Sequence, residues 1–312
     1  MDILISLLLL AISAVLLWAG AVWIVESASA IARKFNLSEL TIGLTIVALG
    51  TSLPEFLVTA TAAIRGYGDI SLSNVIGSNI FNLGIILGLI AVITPIPASK
   101  TLIRRDIFFL ILLTLFILVM MLDLTLSRMT GIALVFIFVS YNFMVFFRGA
   151  RLTIELDAPS ERKAVPSDYI KLVAGFAMIA LGGHYMVNGA TSLAELMGVS
   201  QWAIGVTIVA AGTSLPELIT CLVAAMRHKN DMLLGNLIGS DIFNFAGVLG
   251  LTCILNPINI SGTAIPSMLS LLLMLGFVTL FMRTGFKVGR LEGLFLILFA
   301  LGRWTLDFTI FT

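Results

Sequence analysis

Long apolar runs separated by short polar stretches make up nearly the whole chain. Because a helix needs about 20 mainly apolar residues to cross a bilayer, these runs predict an all-α membrane protein with ten transmembrane helices. The first run is too long for the core of a signal peptide, so it is interpreted as a retained helix. The predicted helices are Ile3–Ala32, Glu39–Ile64, Ser71–Ile96, Ile107–Met121, Met129–Phe147, Tyr169–Leu196, Gln201–Met226, Met232–Pro257, Ala264–Met282 and Leu291–Thr312.

Two polar segments inside these runs occur twice. The segment Gly43–Arg65 matches Gly205–Arg227 at 14 of 23 positions, and both contain GTSLPE. The segment Ile70–Leu89 matches Met232–Leu251 at 11 of 20 positions, and both contain a GS-x-x-x-N pattern. Both matches have the same offset of 162 residues and need no gap. The chain is therefore an internal duplication.

The duplication divides the chain into a first repeat at 1–148, a short linker at 149–168 and a second repeat at 169–312. Each repeat is predicted to hold five helices, which is an odd number. The second repeat should therefore enter the membrane upside down relative to the first. Such inverted-topology repeats are typical of carriers that expose one site alternately to each side of the membrane.

Composition and charge support a membrane location. The chain is 59% hydrophobic and 11% charged, whereas soluble domains carry about 25% charged residues. A net charge of +1 and the lack of basic runs argue against nucleic-acid binding. If the N-terminus is outside, 15 of the 18 Lys and Arg residues fall in inner loops. The positive-inside rule then predicts a multi-pass protein of the cell membrane with both termini outside and the linker cytoplasmic.

Each GTSLPE segment contains a proline, Pro54 or Pro216, inside an apolar run. Proline lacks the backbone N–H that a helix needs and clashes with the carbonyl four residues back, here that of Gly50 or Gly212. The second and seventh helices should therefore break near their middles and free backbone carbonyls for other partners. In the GS-x-x-x-N segments, Gly77 and Gly239 suit either close helix approach or local unwinding, and breaks are also predicted in the third and eighth helices.

The glutamates of the two GTSLPE segments, Glu55 and Glu217, are predicted to lie near the bilayer centre. One interpretation is a capping box, because Ser52 and Ser214 precede them by three residues. Glutamine could cap equally well without placing an ionisable group in the membrane, which costs about 3 kcal/mol. The favoured interpretation is therefore a cation site, and the two roles can coexist.

The GS-x-x-x-N segments add polar residues at helical spacing, namely Ser78 with Asn82 and Ser240 with Asn244. Each pair lies on one helix face, although hydrogen bonding between helices is an alternative role. Together with the glutamates they form a set of oxygen donors without histidine or thiolate. Such a set suits hard cations, and flexible oxygens suit Ca²⁺ better than Mg²⁺. Two carboxylates would balance one Ca²⁺ or two Na⁺.

The paired motifs resemble those of the cation/calcium exchanger superfamily, most closely its small prokaryotic sodium/calcium exchangers. The resemblance covers nearly the whole chain and implies electrogenic Na⁺/Ca²⁺ antiport, in which the first and sixth helices slide past the other eight. It implies that Glu55 and Glu217 hold Ca²⁺ and share Na⁺. The other positions matching family ligands are Thr51, Thr213, Ser52, Ser214, Ser78, Ser240, Asn82 and the carbonyls of Ala48 and Ala210.

The central polar positions depart from the family pattern in the second repeat. Asn244 stands where some relatives, including potassium-dependent ones, have aspartate, while Asp241 places a carboxylate where the first repeat has Asn79. With neutral residues at 82 and 244, exchange is predicted to need no K⁺. Whether Asp241 faces the site is left open, and it is included only as a further candidate ligand.

Other functions are less compatible with this residue set. An H⁺/Ca²⁺ antiporter stays a close alternative, because paired buried carboxylates can also carry protons. A passive channel would not depend on a counter-ion. An intramembrane hydrolase would need a nucleophile with a base or a histidine-containing metal site. The chain is thus predicted to be a non-enzyme without a cofactor, working as a monomer in the lipid bilayer on transported Na⁺ and Ca²⁺.

Overall fold

The structure, a computed structural model, describes residues 3–152, 164–197, 210–260 and 264–310. These residues are almost entirely helical. The helices are α1 Ile3–Lys34, α2 Glu39–Thr51, α3 Leu53–Ile64, α4 Gly68–Ile93, α5 Leu102–Met121, α6 Arg128–Leu152, α7 Pro166–Leu196, α8 Ala210–Gly212, α9 Leu215–Met226, α10 Asn230–Leu255, α11 Ala264–Gly285 and α12 Arg290–Ile310. Four short strands are β1 Ile96–Pro97, β2 Thr125–Leu126, β3 Ile258–Asn259 and β4 Lys287–Val288.

The length and apolarity of the helices confirm an all-α membrane protein. Six described helices could each cross a membrane, and the bent pair α2–α3 provides a seventh span. The count of ten spans stays a prediction, and residues 198–209, which include the first nine residues of the predicted seventh helix, lie outside the described residues. Helices α6 and α7 both extend into the predicted linker at 149–168, whose residues 153–163 also lie outside.

The predicted break in the second helix is confirmed. Helices α2 and α3 meet at Ser52 and are bent by 49° relative to each other. Pro54 occupies the first turn of α3, a position where its missing N–H is tolerated because the first helical N–H groups have no partner within the helix. In the second repeat, Thr213 and Ser214 form a turn between α8 and α9, and Pro216 lies in the first turn of α9.

The predicted breaks in the third and eighth helices are wrong. Both α4 and α10 continue through the glycine-containing segment, and each contains a π-helical turn, Phe81–Ile86 in α4 and Phe243–Val248 in α10. The Leu87 N–H donates to the carbonyl of Asn82, five residues back, in this wider turn. Glycine permits a break but does not force one, and the π-turn keeps the backbone hydrogen-bonded at membrane depth.

The strands link the two halves through contacts that recur at the 162-residue offset. In the antiparallel pair β1–β4, Ile96 lies opposite Val288, and in the pair β2–β3, Leu126 lies opposite Ile258. Each residue of one pair is the repeat counterpart of a residue of the other pair. When two residues of different halves contact each other, their repeat counterparts therefore contact each other as well. An approximate two-fold axis between the halves produces contacts of this kind.

Close helix packing follows the same exchanged pattern. A Cβ on Gly88 would lie 2.7 Å from the carbonyl oxygen of Gly293, and one on Gly131 would lie 2.6 Å from that of Gly250. These pairs join α4 to α12 and α10 to α6, and they exchange under the repeat offset. Small residues let helix backbones approach closely in membranes, where dispersion rather than the hydrophobic effect drives association.

The centre of the molecule is formed by α4 and α10. In their most apolar stretches 72% and 89% of the residues are buried, whereas no other full-length span exceeds 33%. The long helices α1 and α7 lie against each other along their lengths, in the most extensive contact between any two described elements. The GS-x-x-x-N segments of both repeats are therefore carried by the most enclosed helices.

Candidate functional site

The two glutamates of the GTSLPE segments are carried at the starts of half-helices. Glu55 lies in the first turn of α3 and Glu217 in the first turn of α9, and both side chains are fully buried. The proline that starts each half-helix fixes this placement. A carboxylate is stabilised at a helix N-terminus by the unpaired N–H groups and the helix dipole. The two carboxylates are close enough to interact electrostatically.

The serines before these glutamates do not cap their own half-helices. Neither Ser52 nor Ser214 makes a side-chain capping bond. Instead the Ser52 hydroxyl donates to Glu217 Oε1 at 2.5 Å, and the Ser214 hydroxyl donates to Glu55 Oε1 at 3.0 Å. The capping-box interpretation is therefore wrong for both repeats. Each half-helix start provides a hydroxyl to the carboxylate of the other repeat, so the site lies between the repeats.

Loss of either cross-repeat hydroxyl is expected to weaken cation binding. In Ser52→Ala or Ser214→Ala, a carboxylate loses a charge-assisted hydrogen bond worth about 1.5–3 kcal/mol. We expect the Ca²⁺ concentration for half-maximal transport to rise roughly tenfold to a hundredfold. Ser73→Ala is the matched control, because the Ser73 hydroxyl donates only to the Ile70 carbonyl on an exposed face of α4. Unchanged Ca²⁺ affinity with reduced thermal stability would instead support a structural role.

Four polar residues of α4 and α10 form a second buried network between the repeats. Asn82 Nδ2 donates to Asp241 Oδ1 at 2.9 Å, and Asn79 Nδ2 donates to the Asp241 carbonyl at 3.3 Å. Asn244 Nδ2 donates to Asn79 Oδ1 at 3.1 Å. Asp241 therefore faces the polar centre, which sequence reasoning left open. Asn79 was not among the predicted site residues, and the signal that could have found it is its repeat counterpart, Asp241.

Five buried side-chain oxygens at this centre accept no hydrogen bond from any residue that the structure describes. They are Glu55 Oε2, Glu217 Oε2, Asp241 Oδ2, Asn82 Oδ1 and Asn244 Oδ1. Leaving a buried acceptor unpaired costs about 1–3 kcal/mol, and more for a charged group. Such a concentration of unpaired acceptors is expected where oxygens coordinate cations.

Predicted hydroxyl ligands lie around this centre. Thr51 is fully buried, and its hydroxyl lies 3.2 Å from Asn236 Oδ1 of the other repeat. The Ser240 hydroxyl lies 3.5 Å from Glu217 Oε1. Its counterpart Ser78 is buried on α4. The structure thus brings hydroxyls of both repeats to the region of the two glutamates.

The predicted backbone ligands differ from expectation in the first repeat. The Ala48 carbonyl accepts the Ser52 N–H at 3.1 Å and lies 3.3 Å from the Thr51 hydroxyl, so the break does not free it. Ala210 begins the short helix α8, and Thr213 lies in the turn that follows. As cation ligands, both carbonyls and Thr213 stay predictions.

Other asparagines stabilise the half-helices against their neighbours. Asn74 Nδ2 donates to the Thr59 hydroxyl at 2.9 Å, and its counterpart Asn236 Nδ2 lies 3.3 Å from Cys221 Sγ. These contacts join α3 to α4 and α9 to α10. Hydrogen bonding between helices, the alternative considered for the polar residues of these helices, therefore applies to Asn74 and Asn236.

The composition of the site limits its chemistry to hard cations. Its donor atoms are carboxylate, amide and hydroxyl oxygens, and no group of three His, Cys, Asp or Glu side chains placed to hold one metal ion occurs among the described residues. Zinc and other borderline metals, which prefer nitrogen and sulfur ligands, are thus poorly matched. Oxygens shared between two repeats can replace the water shell of Na⁺ or Ca²⁺.

Comparisons with known proteins agree with this chemistry. The family model described as sodium/calcium exchanger protein matches residues 5–147 and 168–302. The sodium/calcium exchanger MaX1 of Methanosarcina acetivorans is 30% identical over 95% of this chain and 96% of its own length. The inner membrane protein YrbG of Escherichia coli is 32% identical, covering 90% of this chain and 91% of its own. A solved structure of the sodium-calcium exchanger NCX_Mj superposes with a TM-score of 0.85 and 33% identity, covering 96% of this chain and 98% of that one.

Proposed function

The chain belongs to the sodium/calcium exchanger protein family, and from that premise we propose that it is a secondary antiporter that exchanges Na⁺ for Ca²⁺ across the cell membrane by alternating access. The proposal rests on the hydrogen bonds that two buried glutamates accept from serines of the opposite repeat. Glu55 and Glu217 each accept a serine hydroxyl from the other repeat and keep one oxygen without a donor among the described residues. Two carboxylates balance one Ca²⁺ or two Na⁺.

The ligands lie between the two repeats, which favours transport over fixed binding. A site whose halves belong to two related units can open on either side when one unit moves against the other. The proposed arrangement has ten transmembrane helices in two inverted five-helix repeats, with both termini outside and the linker cytoplasmic. Helices α1 and α7, packed mainly on each other, are the proposed moving pair. The chain would act as a monomer, because the ligands come from its own two halves.

The cycle is proposed to be electrogenic and independent of K⁺. Asn82 and Asn244 are neutral and the two glutamates alone balance one Ca²⁺, while the third buried carboxylate at this centre, Asp241, accepts the Asn82 amide. If more than two Na⁺ enter for each Ca²⁺, net charge crosses the membrane in each cycle. No part of this proposal requires a cofactor or a chemical reaction.

Na⁺-driven ⁴⁵Ca²⁺ uptake into proteoliposomes tests the function. We expect uptake when the liposomes hold Na⁺ inside and none outside, at equal pH and without K⁺. A K⁺-diffusion potential, set with valinomycin, should change the rate if charge is moved. Uptake driven by a pH gradient in the absence of Na⁺ would establish the H⁺/Ca²⁺ alternative instead. Flux without any counter-ion dependence would indicate a channel, and an absolute K⁺ requirement would contradict the proposed independence.

A further inference from the structure

Three buried hydrogen bonds lead from the Thr51 hydroxyl into the second repeat. Thr51 Oγ1 donates to Asn236 Oδ1 at 3.2 Å, and Asn236 Nδ2 donates to Cys221 Sγ at 3.3 Å. The Cys221 thiol in turn donates to the Leu233 carbonyl oxygen at 3.8 Å. Thr51, Asn236 and Cys221 are each at most 1% exposed. Because solvent does not reach these groups, their hydrogen-bonding capacity is met within this chain of bonds.

The Leu233 end gives this chain of bonds a direction. A carbonyl oxygen can only accept, so the thiol proton of Cys221 points at Leu233 and the sulfur accepts from the Asn236 amide nitrogen. The amide oxygen of Asn236 consequently faces Thr51 and accepts the proton of its hydroxyl. Bonds joined in this way strengthen one another, because each donor is polarised by the bond that it accepts.

A competing arrangement exists for the Thr51 proton. The carbonyl oxygens of Val47 and Ala48, in the same helix α2, lie 3.2 and 3.3 Å from Thr51 Oγ1. The hydroxyl has a single proton to donate. If the Asn236 amide were reversed, its N–H would occupy a lone pair of Thr51 Oγ1, and the hydroxyl proton would turn to α2. The observed direction instead leaves the lone pairs of Thr51 Oγ1 available to a cation.

We propose that Asn236 and Cys221 are positioning residues for the cation site, because their hydrogen bonds turn the Thr51 proton away from the cation and leave Thr51 Oγ1 to present its lone pairs. This inference rests on the proposed function, in which Thr51 is a ligand, and deepens it by adding two residues that act through Thr51. Cys221 lies in α9, the half-helix that also carries Glu217. The second repeat therefore sets the orientation of a ligand of the first repeat.

The first repeat shows which residue could replace Cys221. Asn74, the repeat counterpart of Asn236, donates to the Thr59 hydroxyl at 2.9 Å, and Thr59 is the counterpart of Cys221. A threonine at 221 could accept from Asn236 and donate to Leu233 as the thiol does, whereas alanine could do neither. In Cys221→Ala, the Asn236 amide nitrogen would lose its buried acceptor, and the amide would be free to reverse.

Cation affinity tests this role, measured as the Ca²⁺ concentration that gives half-maximal heat stabilisation in detergent. We expect this concentration to rise about three- to tenfold in Asn236→Ala and in Cys221→Ala, within the range of one neutral hydrogen bond. In Cys221→Thr it should return to within about twofold of the unchanged protein. A Cys221→Thr variant that folds but binds Ca²⁺ as weakly as Cys221→Ala would overturn the positioning role.

A double-mutant cycle shows whether the effect passes through Thr51. Thr51→Val keeps the shape of the side chain but removes the hydroxyl. In that background we expect Cys221→Ala to change the half-maximal Ca²⁺ concentration by less than about 1.5-fold, because no proton is left to orient. A merely structural cysteine would weaken binding equally in both backgrounds, and that result would also overturn the proposal.

The direction of the chain of bonds can be measured without ions or transport. The sequence has two cysteines, so in Cys253→Ala the infrared S–H stretching band belongs to Cys221 alone. Adding Asn236→Ala should shift this band to higher frequency, because the thiol donates more weakly once its sulfur accepts no bond. Asn74→Ala is the matched control and should leave the band in place, since Asn74 donates to Thr59. An unshifted band in the Asn236→Ala variant would overturn the proposal, even if Cys221→Ala does not fold.

These outcomes are separable from the proposed function. Ca²⁺ stabilisation and the expected band shift, together with a lack of Na⁺-driven Ca²⁺ uptake, would refute antiport and leave the positioning role intact. Normal uptake with an unshifted band would refute the positioning role and leave antiport intact.

Discussion

Neither Glu55→Gln nor Glu217→Gln is expected to transport Ca²⁺ above the level of empty liposomes. Glutamine keeps the size and one carbonyl oxygen of the side chain but cannot balance a divalent charge. Losing one partner of a buried charge interaction costs about 3–5 kcal/mol, which is more than two orders of magnitude in binding. The measurement is Na⁺-driven ⁴⁵Ca²⁺ uptake together with Ca²⁺-dependent heat stabilisation in detergent.

These variants should still fold, which makes the loss interpretable. Glu55 and Glu217 are both fully buried and close enough to interact electrostatically, so removing one like charge relieves repulsion in the ion-free protein. Without cations, each variant should melt no lower than the unchanged protein, and Ca²⁺ should no longer raise its melting temperature. Glu26→Gln is the control, because Glu26 lies half-exposed in an ion pair with Arg227. Near-normal uptake by either glutamine variant would refute the cation site.

Substitution of Gly50 is expected to have the second largest effect. A Cβ at this position would lie 2.1–2.4 Å from three ring atoms of Phe176 on α7. Overpacking of this kind costs about 1–3 kcal/mol. Because the clash lies between α2 and a proposed moving helix, Gly50→Ala should destabilise the observed arrangement of α7. We expect transport to fall about tenfold, within the range that this energy allows.

A compensating substitution tests the cause of this loss. Phe176→Ala combined with Gly50→Ala removes the ring and should restore much of the rate. Gly276→Ala is the control, because no heavy atom lies within 4 Å of a Cβ there. Gly212→Ala should be milder, since its Cβ would clash with only one methyl group of Val187, at 2.1 Å. A double variant as slow as Gly50→Ala alone would show that the clash with Phe176 is not the cause.

Sequence reasoning predicted the parts of the fold that local chemistry forces. Apolar runs identified the helices, and Pro54 identified the break between α2 and α3, because proline cannot complete the helical hydrogen bond. Glycine exerts no such constraint. The Gly77 and Gly239 segments were predicted to break α4 and α10, but the backbone instead widens into π-turns that keep its hydrogen bonds.

The partners of the site residues could not be predicted from the sequence in the same way. The spacing of Ser52 and Glu55 fits a capping box, and nothing local to the helix excludes it. The observed acceptor, Glu217, lies 165 residues away, so only the packing of the repeats selects it. The orientation of Asp241 likewise depends on Asn82 in the other repeat. Residue types and the repeat offset identified the donor set, whereas its pairing required tertiary structure.

The hydrogen bonds between serines and glutamates of opposite repeats also have a consequence for biosynthesis. Ser214, the hydroxyl partner of Glu55, is synthesised 159 residues after it. At about 5–20 residues per second, the first half exists for roughly 8–30 seconds before that partner emerges from the ribosome. During this interval the nascent first half carries an acidic group that the mature protein buries, and water, lipid headgroups or the insertion machinery must replace the missing serine hydroxyl. A pause in translation between the halves would therefore prolong the period in which the unfinished protein is most exposed to degradation.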